Sequence, residues 1–196
     1  MITEGGTERV VRFSFELARR RKAQGRPGKV TCSSKYNMLP RSDGLFRDVA
    51  ARVATAYPDI EFETFIVDDF ARRLVAAPHT LDVVVLPNLY GDILSDAAAG
   101  VIGGLGLAPS GCYGDTYAYF ESAHGSAPDI AGRNIINPTA TILSAAMMLE
   151  HLGFAAAARR LESAVERVYA EGRALTPDQG GHASTTEFCE AVTHAL

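Results

Sequence analysis

Residues 83–96 read VVVLPNLYGDILSD, an apolar run followed by a glycine and then by a helical pattern with two aspartates. The apolar run predicts a strand over residues 81–86 that is buried on both faces, as strands of parallel sheets are. The segment after it predicts a helix over residues 91–103. Because α/β proteins bind ligands where such a strand ends, this junction is the first candidate site.

The residues before this stretch alternate between helical and strand patterns. Val10, Phe13 and Leu17 are apolar at helical spacing with arginines between them, which is typical of an amphipathic helix. The predicted elements are a helix over 7–24, a strand over 29–33, a helix capped by Ser42 and Asp43 that runs to 56, a strand over 60–67 and a helix over 69–77. This order predicts a layered α/β architecture with a partly parallel sheet and flanking helices.

The composition of the chain changes near residue 100. Residues 105–138 are rich in glycine and proline and hold one predicted strand, over residues 117–121. Loops of that length are usually functional. Three helices are predicted after it, over 139–152, 155–171 and 185–195. We therefore expect two structural regions, residues 1–100 and residues 101–196, with no flexible linker between them.

The bulk composition excludes several classes of protein. Of the 196 residues, 47% are hydrophobic and 21% charged, which is typical of a soluble globular protein. The net charge of −4 argues against a sequence-independent nucleic-acid binder, which needs a concentrated basic face. Cys32, Cys112 and Cys189 lack the spacing of a disulfide framework or a zinc site, which favours a reducing compartment. No apolar stretch reaches the roughly 20 residues of a membrane span, and no signal peptide is visible, so we expect a cytoplasmic protein.

The spacing of Asp92 and Asp96 suggests a metal site. Residues four apart on a helix share one face, with Cβ atoms about 5–6 Å apart. Two carboxylates in that position repel unless a cation lies between them, and oxygen ligands suit Mg²⁺ or Mn²⁺. The alternative is that both aspartates only stabilise the start of the helix through its dipole.

Residues 124–138, HGSAPDIAGRNIINP, form the second candidate site. A loop with two glycines, two prolines and several polar side chains can wrap a flat polar ligand, and Asp129 can accept hydrogen bonds from ribose hydroxyls. An ordinary surface loop is the alternative, and a lone His124 is more often structural than catalytic. The glycines of residues 100–111 do not form the GxGxxG fingerprint, so a Rossmann fold is not predicted.

Together these segments resemble a known family. Residues 88–96, NLYGDILSD, followed by residues 103–107, GGLGL, resemble the signature of the β-decarboxylating dehydrogenases of 3-isopropylmalate, isocitrate, homoisocitrate, tartrate and D-malate. Residues 124–138 resemble the adenosine-binding loop of that family. The resemblance covers essentially the whole chain, from RVVRF at residues 9–13 to DQGG at residues 178–181. It implies the isopropylmalate dehydrogenase-like fold, with residues 1–100 as the dimerisation and metal-site part of the small domain and residues 101–196 as the nucleotide-loop part of the large domain.

The resemblance also implies roles for individual residues. Asp68, Asp92 and Asp96 match the aspartates that hold Mg²⁺ or Mn²⁺, which acts as a Lewis acid on the substrate hydroxyl and on the enolate left by decarboxylation. Lys35 matches the lysine that assists removal of the hydroxyl proton. In this family the matching lysine and third aspartate reach into the neighbouring subunit's site, which implies a homodimer.

The resemblance further implies that residues 124–138 bind NAD. The matching cofactor residues are His124, Gly125, Ser126, Ala127, Pro128, Asp129, Ile130 and Asn137. NADP-dependent members carry a lysine and a tyrosine at the positions of Asp129 and Ile130, so this sequence resembles the NAD-dependent members. A carboxylate near the ribose accepts hydroxyl hydrogens and repels a phosphate, which leads to the same expectation.

Full-length members of the family carry a long amino-terminal portion that this sequence lacks. That portion holds the arginines that clamp the substrate carboxylates and the tyrosine that protonates the enolate. The chain is thus expected to be a carboxyl-terminal half, inactive alone, which needs a partner carrying the missing half. The expected substrate is 3-isopropylmalate, with isocitrate second because residues 42–46, SDGLF, also resemble isocitrate-type members. The alternatives are a homoisocitrate, tartrate or D-malate enzyme, a non-catalytic regulatory subunit or a truncated product.

Overall fold

A computed structural model describes all 196 residues. The chain divides into two compact units, Met1–Ala98 and Ala99–Leu196. The division falls two residues before the predicted one, which lies between residues 100 and 101. The roles of residues 1–100 in dimerisation and metal binding, and of residues 101–196 in nucleotide binding, stay predictions.

The first unit is built on a three-stranded parallel sheet. Its strands are β1 (Lys29–Ser34), β2 (Glu61–Ile66) and β3 (Val83–Val85), in the order β2-β1-β3. Ser34 pairs with Ile66, and Cys32 pairs with Val85. The predicted α/β architecture with parallel strands is confirmed.

Four helices accompany this sheet. They are α1 (Glu4–Ala23), α2 (Asp43–Ala54), α3 (Val67–Ala76) and α4 (Asn88–Ile102). Phe15 of α1 is fully buried and stacks on Tyr57 with ring centroids 4.8 Å apart. Burial of one such side chain contributes about 1.5–3 kcal/mol to the stability of the fold. The core between α1, β1 and α2 therefore stabilises the first unit, in which the three parallel strands end.

The second unit consists of a hairpin and three helices. β4 (Pro109–Tyr113) and β5 (Ala118–Ser122) pair antiparallel. The helices are α5 (Thr139–His151), α6 (Ala155–Glu171) and α7 (Thr185–Ala195). Ser144 of α5 joins the helix to the hairpin, since its hydroxyl donates to the Glu121 carbonyl at 2.6 Å and accepts from the Ser110 amide at 3.2 Å. No helix of the chain is both long and apolar enough to cross a bilayer.

Three local predictions were wrong. β4 was not predicted, because proline and glycine are poor strand formers; the strand begins with Pro109, a position that an edge strand tolerates. β3 is shorter than predicted, and the Asp82 carboxylate before it accepts from the amides of Gly28 and Lys29 at 2.9 and 3.3 Å. Ser42 makes no capping bond to α2. Its hydroxyl donates instead to Asp43 Oδ1 at 3.1 Å.

Candidate functional site

The carboxyl ends of the three parallel strands lie at one edge of the sheet. Lys35 directly follows β1, and Asp68 lies in the first turn of α3, which follows β2. α4, with Asp92 and Asp96, begins three residues after β3 ends. The parallel order therefore brings Lys35 and Asp68 to the same edge, although they lie 33 residues apart in sequence. Asp92 and Asp96 lie on the helix that follows the third strand.

Lys35 and Asp68 form an ion pair at this edge, in which Lys35 Nζ donates to Asp68 Oδ1. The lysine side chain is 30% exposed and the aspartate side chain 54%. The hydrogen bond from Lys35 is the main cause that lowers the pKa of the Asp68 carboxyl below its usual range. The pair therefore stabilises the charged form of Asp68.

A third residue, Asp43, fixes the backbone at Lys35. It is 3% exposed, and its Oδ2 accepts from the Lys35 amide at 2.8 Å. Its carbonyl accepts from the Ser34 hydroxyl at 3.2 Å. The sequence predicts Asp43 only as part of a helix cap. Its bond to Lys35 was missed, because nothing in the sequence shows that the intervening loop folds back.

Asp92 and Asp96 lie in the second and third turns of α4, since the helix begins at Asn88 rather than at Gly91, where the prediction placed its start. No acidic residue occupies the first turn. Helix-dipole effects fade beyond that turn, so the alternative in which both residues only stabilise the helix start loses its basis. Both residues are exposed. Neither forms an ion pair, although other aspartates such as Asp59, Asp69 and Asp82 do.

Two unpaired carboxylates four residues apart on a helix fit a hard divalent cation, which needs one or two carboxylates and completes its shell with other oxygens. Nowhere in the chain do three or more His, Cys, Asp or Glu side chains gather into a group able to hold a metal ion. The fold thus pairs Lys35 with Asp68 and places Asp92 beside Asp96, but it does not unite Asp68 with the other two aspartates within one chain.

The second candidate site, residues 124–138, has a strained backbone. Ala127 has φ 44° and Asn134 has φ 56°, and they are the only two non-glycine residues of the chain with positive φ. Such left-handed conformations cost about 1–3 kcal/mol each and cluster at ligand sites. Pro128–Ile130 form a single 3₁₀ turn that presents Asp129 to solvent. Nδ1 of His124 lies 2.9 Å from the carbonyl oxygen of Gly125, a local contact.

The end of this loop is held by the start of α7. The Thr185 amide donates to the Asn134 carbonyl at 2.9 Å, and the Thr185 hydroxyl donates to the Ile136 carbonyl at 2.5 Å. Thr186 donates to Asn134 Oδ1 through its amide, at 3.3 Å. These contacts fix the second half of the loop, and no local pattern in the sequence indicated them.

Asn137, the last of the predicted nucleotide residues, is only 4% exposed. Its Nδ2 donates to the Tyr169 hydroxyl at 3.1 Å and to Asp178 Oδ2 at 3.0 Å, and its Oδ1 accepts from the Thr139 amide at 3.0 Å. The side-chain amide is therefore fully used inside the protein. A contact with adenosine stays a prediction for this residue, and its side chain has no free hydrogen to offer one.

Comparison with known proteins identifies the family. The family model described as isocitrate/isopropylmalate dehydrogenase matches residues 1–192. The chain belongs to the isocitrate/isopropylmalate dehydrogenase family. This membership confirms the resemblance seen in residues 88–96 and 124–138.

Individual members of the family are highly similar. A 3-isopropylmalate/3-methylmalate dehydrogenase from Methanocaldococcus jannaschii is 53% identical over 192 residues, which cover 98% of this chain and 57% of that protein. An isocitrate/homoisocitrate dehydrogenase from Thermus thermophilus is 52% identical over 197 residues, covering 100% of this chain and 57% of that protein. The crystal structure of an isocitrate dehydrogenase from Methylococcus capsulatus superposes with a TM-score of 0.93 at 46% identity, over 100% of this chain and 57% of that one. The fold is therefore that of the family, and the chain spans just over half the length of these relatives.

Proposed function

We propose that the chain is part of an NAD-dependent, Mg²⁺- or Mn²⁺-dependent oxidative decarboxylase of a 2-hydroxy acid. The observation that carries this proposal is a set of charged residues: the unpaired Asp92 and Asp96 on α4, and the ion pair of Lys35 and Asp68 at the sheet edge. An ordinary surface has no need of two adjacent unneutralised carboxylates, which destabilise a helix by about 0.2–0.5 kcal/mol. A cation that also bound the substrate would offset that repulsion.

In this proposal Asp92 and Asp96 hold the metal, which supplies Lewis-acid chemistry at the substrate hydroxyl. Lys35 accepts the proton of that hydroxyl. Lys35 would reach that hydroxyl once its hydrogen bond to Asp68 is broken.

Two copies of the chain would complete each metal site. One copy gathers no group of three carboxylates, which supports a shared site in which Asp68 of one subunit joins Asp92 and Asp96 of the other. Leu89 and Ile93, 64% and 58% exposed, lie one turn apart on α4. This apolar surface beside the two aspartates supports a homodimer that covers it.

The nucleotide is proposed to be NAD, bound by residues 124–138. When bound, NAD would supply the acceptor for the hydride that leaves C2 of the substrate. Asp129 is exposed and accepts hydrogen bonds from ribose hydroxyls, and its charge repels a 2′-phosphate. Family membership alone leaves this choice open, since another relative from Thermus thermophilus, 47% identical, is named an NADP isocitrate dehydrogenase.

The substrate is proposed to be 3-isopropylmalate. The names of the Methanocaldococcus protein and the isocitrate/homoisocitrate enzyme from Thermus cover 3-isopropylmalate, 3-methylmalate, isocitrate and homoisocitrate, all of which are 2-hydroxy acids with a second carboxylate. The chain matches 57% of those proteins, and we propose that the arginines that hold the carboxylates lie outside the matched residues. β3 is an edge strand beside an apolar cavity of about 390 Å³ that is lined by residues of α1, α3 and α4. Polypeptide beyond the matched residues, in the same protein or in a partner, would cover this cavity.

A regulatory subunit is the second candidate, because a relative from Dictyostelium discoideum, 48% identical, is named an isocitrate dehydrogenase regulatory subunit. A regulatory chain has little use for Lys35, Asp68, Asp92 and Asp96 together. Their joint presence supports the catalytic proposal.

The test is reconstitution. The chain is co-purified with the amino-terminal portion of the Methanocaldococcus relative, and NADH formation is followed with each acid in the presence of Mn²⁺. Turnover that disappears with Lys35→Ala, but not with Lys29→Ala, would support the catalytic proposal. Turnover that survives Lys35→Ala would contradict the role given to that lysine, and turnover that requires a second complete catalytic chain would favour the regulatory subunit.

A further inference from the structure

A network of polar side chains lies behind the end of the loop formed by residues 124–138. Its centre is Asn137, whose amide bonds to Tyr169, Asp178 and the amide of Thr139. The Tyr169 hydroxyl lies 2.8 Å from Thr139 Oγ1. Thr176 donates to Asp178 Oδ1 at 2.6 Å, and Gln179 Nε2 donates to Asp178 Oδ2 at 3.0 Å. The network thus joins the loop to α6 and to the 3₁₀ turn of Pro177–Gln179.

Every polar atom of the Asn137 side chain has its partner in this network. Both hydrogens of Nδ2 are donated, and Oδ1 accepts the amide hydrogen of Thr139 at the start of α5. The orientation of the side chain is therefore fixed at three points. Rotation of the amide would place Nδ2 against the Thr139 amide and Oδ1 against the Asp178 carboxylate, and both contacts repel.

The protein is closely packed around the network. A Cβ atom at Gly106 would lie 3.2 Å from Cβ of Asn137 and 3.3 Å from Oδ2 of Asp178, closer than ordinary contacts. The ring of Tyr169 packs against Phe188 with centroids 5.6 Å apart. Thr139 and Thr176 are 2% and 0% exposed. These neighbours leave the Asn137 amide little freedom to move.

The loop needs such a support, because its own conformation is unfavourable. Ala127 and Asn134 have a left-handed backbone conformation, and the exposed residues between them make few hydrogen bonds to the rest of the chain. Without anchors the loop would relax to other conformations. Its last residues are held by Thr185 and Thr186 on one side and by the Asn137 network on the other.

We propose that Tyr169 and Asp178 are positioning residues for the nucleotide, acting through Asn137 to hold residues 124–137 in the conformation that binds NAD. The inference rests on the proposed function of this loop in nucleotide binding. Neither residue needs to touch the cofactor, since a loop that is already ordered loses less entropy on binding. Loss of either support should weaken NAD binding about tenfold, equivalent to about 1.4 kcal/mol.

The experiment uses the full 196-residue chain with NAD as the probe. Tyr169→Phe removes the hydroxyl but keeps the ring on Phe188, and Tyr117→Phe, at an 85% exposed residue of the same unit, is the matched control. Hydrogen exchange of the amides of residues 125–137 is measured without ligand, and the NAD affinity is measured by calorimetry. We expect faster loop exchange and about tenfold weaker NAD binding in Tyr169→Phe, and no change in Tyr117→Phe.

A second variant pair separates positioning from a loss of stability. Asp178→Ala removes the oxygen opposite the Asn137 amide and should behave like Tyr169→Phe. Asp178→Asn keeps an amide oxygen that can accept there, so it should retain part of the NAD affinity and of the slow exchange. Amide exchange in the rest of the unit separates the two cases, because a destabilisation of the whole unit would speed that exchange as well.

The outcomes separate the inference from the function on which it rests. Unchanged loop exchange in both Tyr169→Phe and Asp178→Ala would overturn the inference, and so would faster exchange with unchanged NAD affinity. Faster exchange in a chain whose unaltered form binds no NAD would refute nucleotide binding by the loop, and the inference with it.

Discussion

Asp68 accepts the Nζ hydrogen of Lys35 across the ends of two neighbouring parallel strands whose last residues, Ser34 and Ile66, are in register. The pair holds a base and a metal ligand of the proposed reaction in direct contact. Loss of this contact would therefore affect both residues. The contact can be followed through the pKa of the Asp68 carboxyl, which this hydrogen bond lowers.

The first prediction concerns stability against pH. A carboxyl whose pKa is lower in the folded chain than in the unfolded chain stabilises the fold above the unfolded pKa, and this contribution is lost as pH falls through the folded pKa. Asp68→Asn should therefore reduce the free energy of unfolding near neutral pH, and its difference from the unaltered chain should shrink in acid. Urea denaturation at a series of pH values measures this. Glu61→Gln, at an exposed carboxylate at the start of β2, is the control and should show no such difference.

The second prediction concerns metal binding. Mn²⁺ should bind weakly to the isolated chain, because only Asp92 and Asp96 are available and the substrate oxygens are absent. Asp96→Ala should reduce binding below detection in calorimetry. Asp48→Ala, at an exposed aspartate of α2, should leave it unchanged. Equal affinity in the unaltered chain and in Asp96→Ala would show that the two aspartates of α4 are not the site.

The third prediction concerns the choice of nucleotide. The reconstituted enzyme should prefer NAD to NADP. Asp129→Lys should reduce this preference, because it removes a charge that repels the 2′-phosphate and adds one that attracts it. The ratio of kcat/KM for the two nucleotides is the measurement. Glu190→Lys, at an exposed residue of α7, makes the same charge change elsewhere and should preserve the ratio. A faster reaction with NADP would refute the role given to Asp129.

The fourth prediction concerns the chain by itself. These 196 residues alone should show no dehydrogenase activity on isopropylmalate, isocitrate, tartrate or malate, because the arginines proposed to hold the carboxylates lie outside them. Positioning of the reacting carbon can be worth about 7–11 kcal/mol of the barrier. The chain should nevertheless self-associate, as measured by light scattering. Ile93→Lys should weaken self-association, whereas Leu196→Lys, at another half-exposed apolar residue, should not. Robust turnover by a monomer would contradict both the partial-enzyme and the shared-site proposals.

The sequence predicted the elements that have a clear periodicity. α6 and α7 have the predicted bounds, because each carries an apolar stripe between recognisable ends. The spacing of Asp92 and Asp96 was enough to predict a shared helix face, since both lie on one element. β4 was missed, because its residues are poor strand formers and only pairing with β5 makes them a strand.

The contacts between distant residues were not predictable in the same way. Lys35 and Asp68 meet because β1 and β2 pair in one particular register, which no local pattern encodes. Asn137 was identified by resemblance, but its partners Tyr169 and Asp178 lie 32 and 41 residues away on other elements. The shape of a buried polar network depends on how helices pack, and that information is spread over the whole unit.

The left-handed backbone of Ala127 and Asn134 has a consequence for engineering. Glycine adopts this conformation without steric cost, so Ala127→Gly would relieve strain and raise the melting temperature. It would also let the loop sample conformations that a side chain excludes, and part of the order that a nucleotide needs would be lost. A screen that ranks variants by thermostability alone would therefore favour variants whose loop binds the nucleotide less well. Variants have to be ranked by thermostability and by nucleotide binding together.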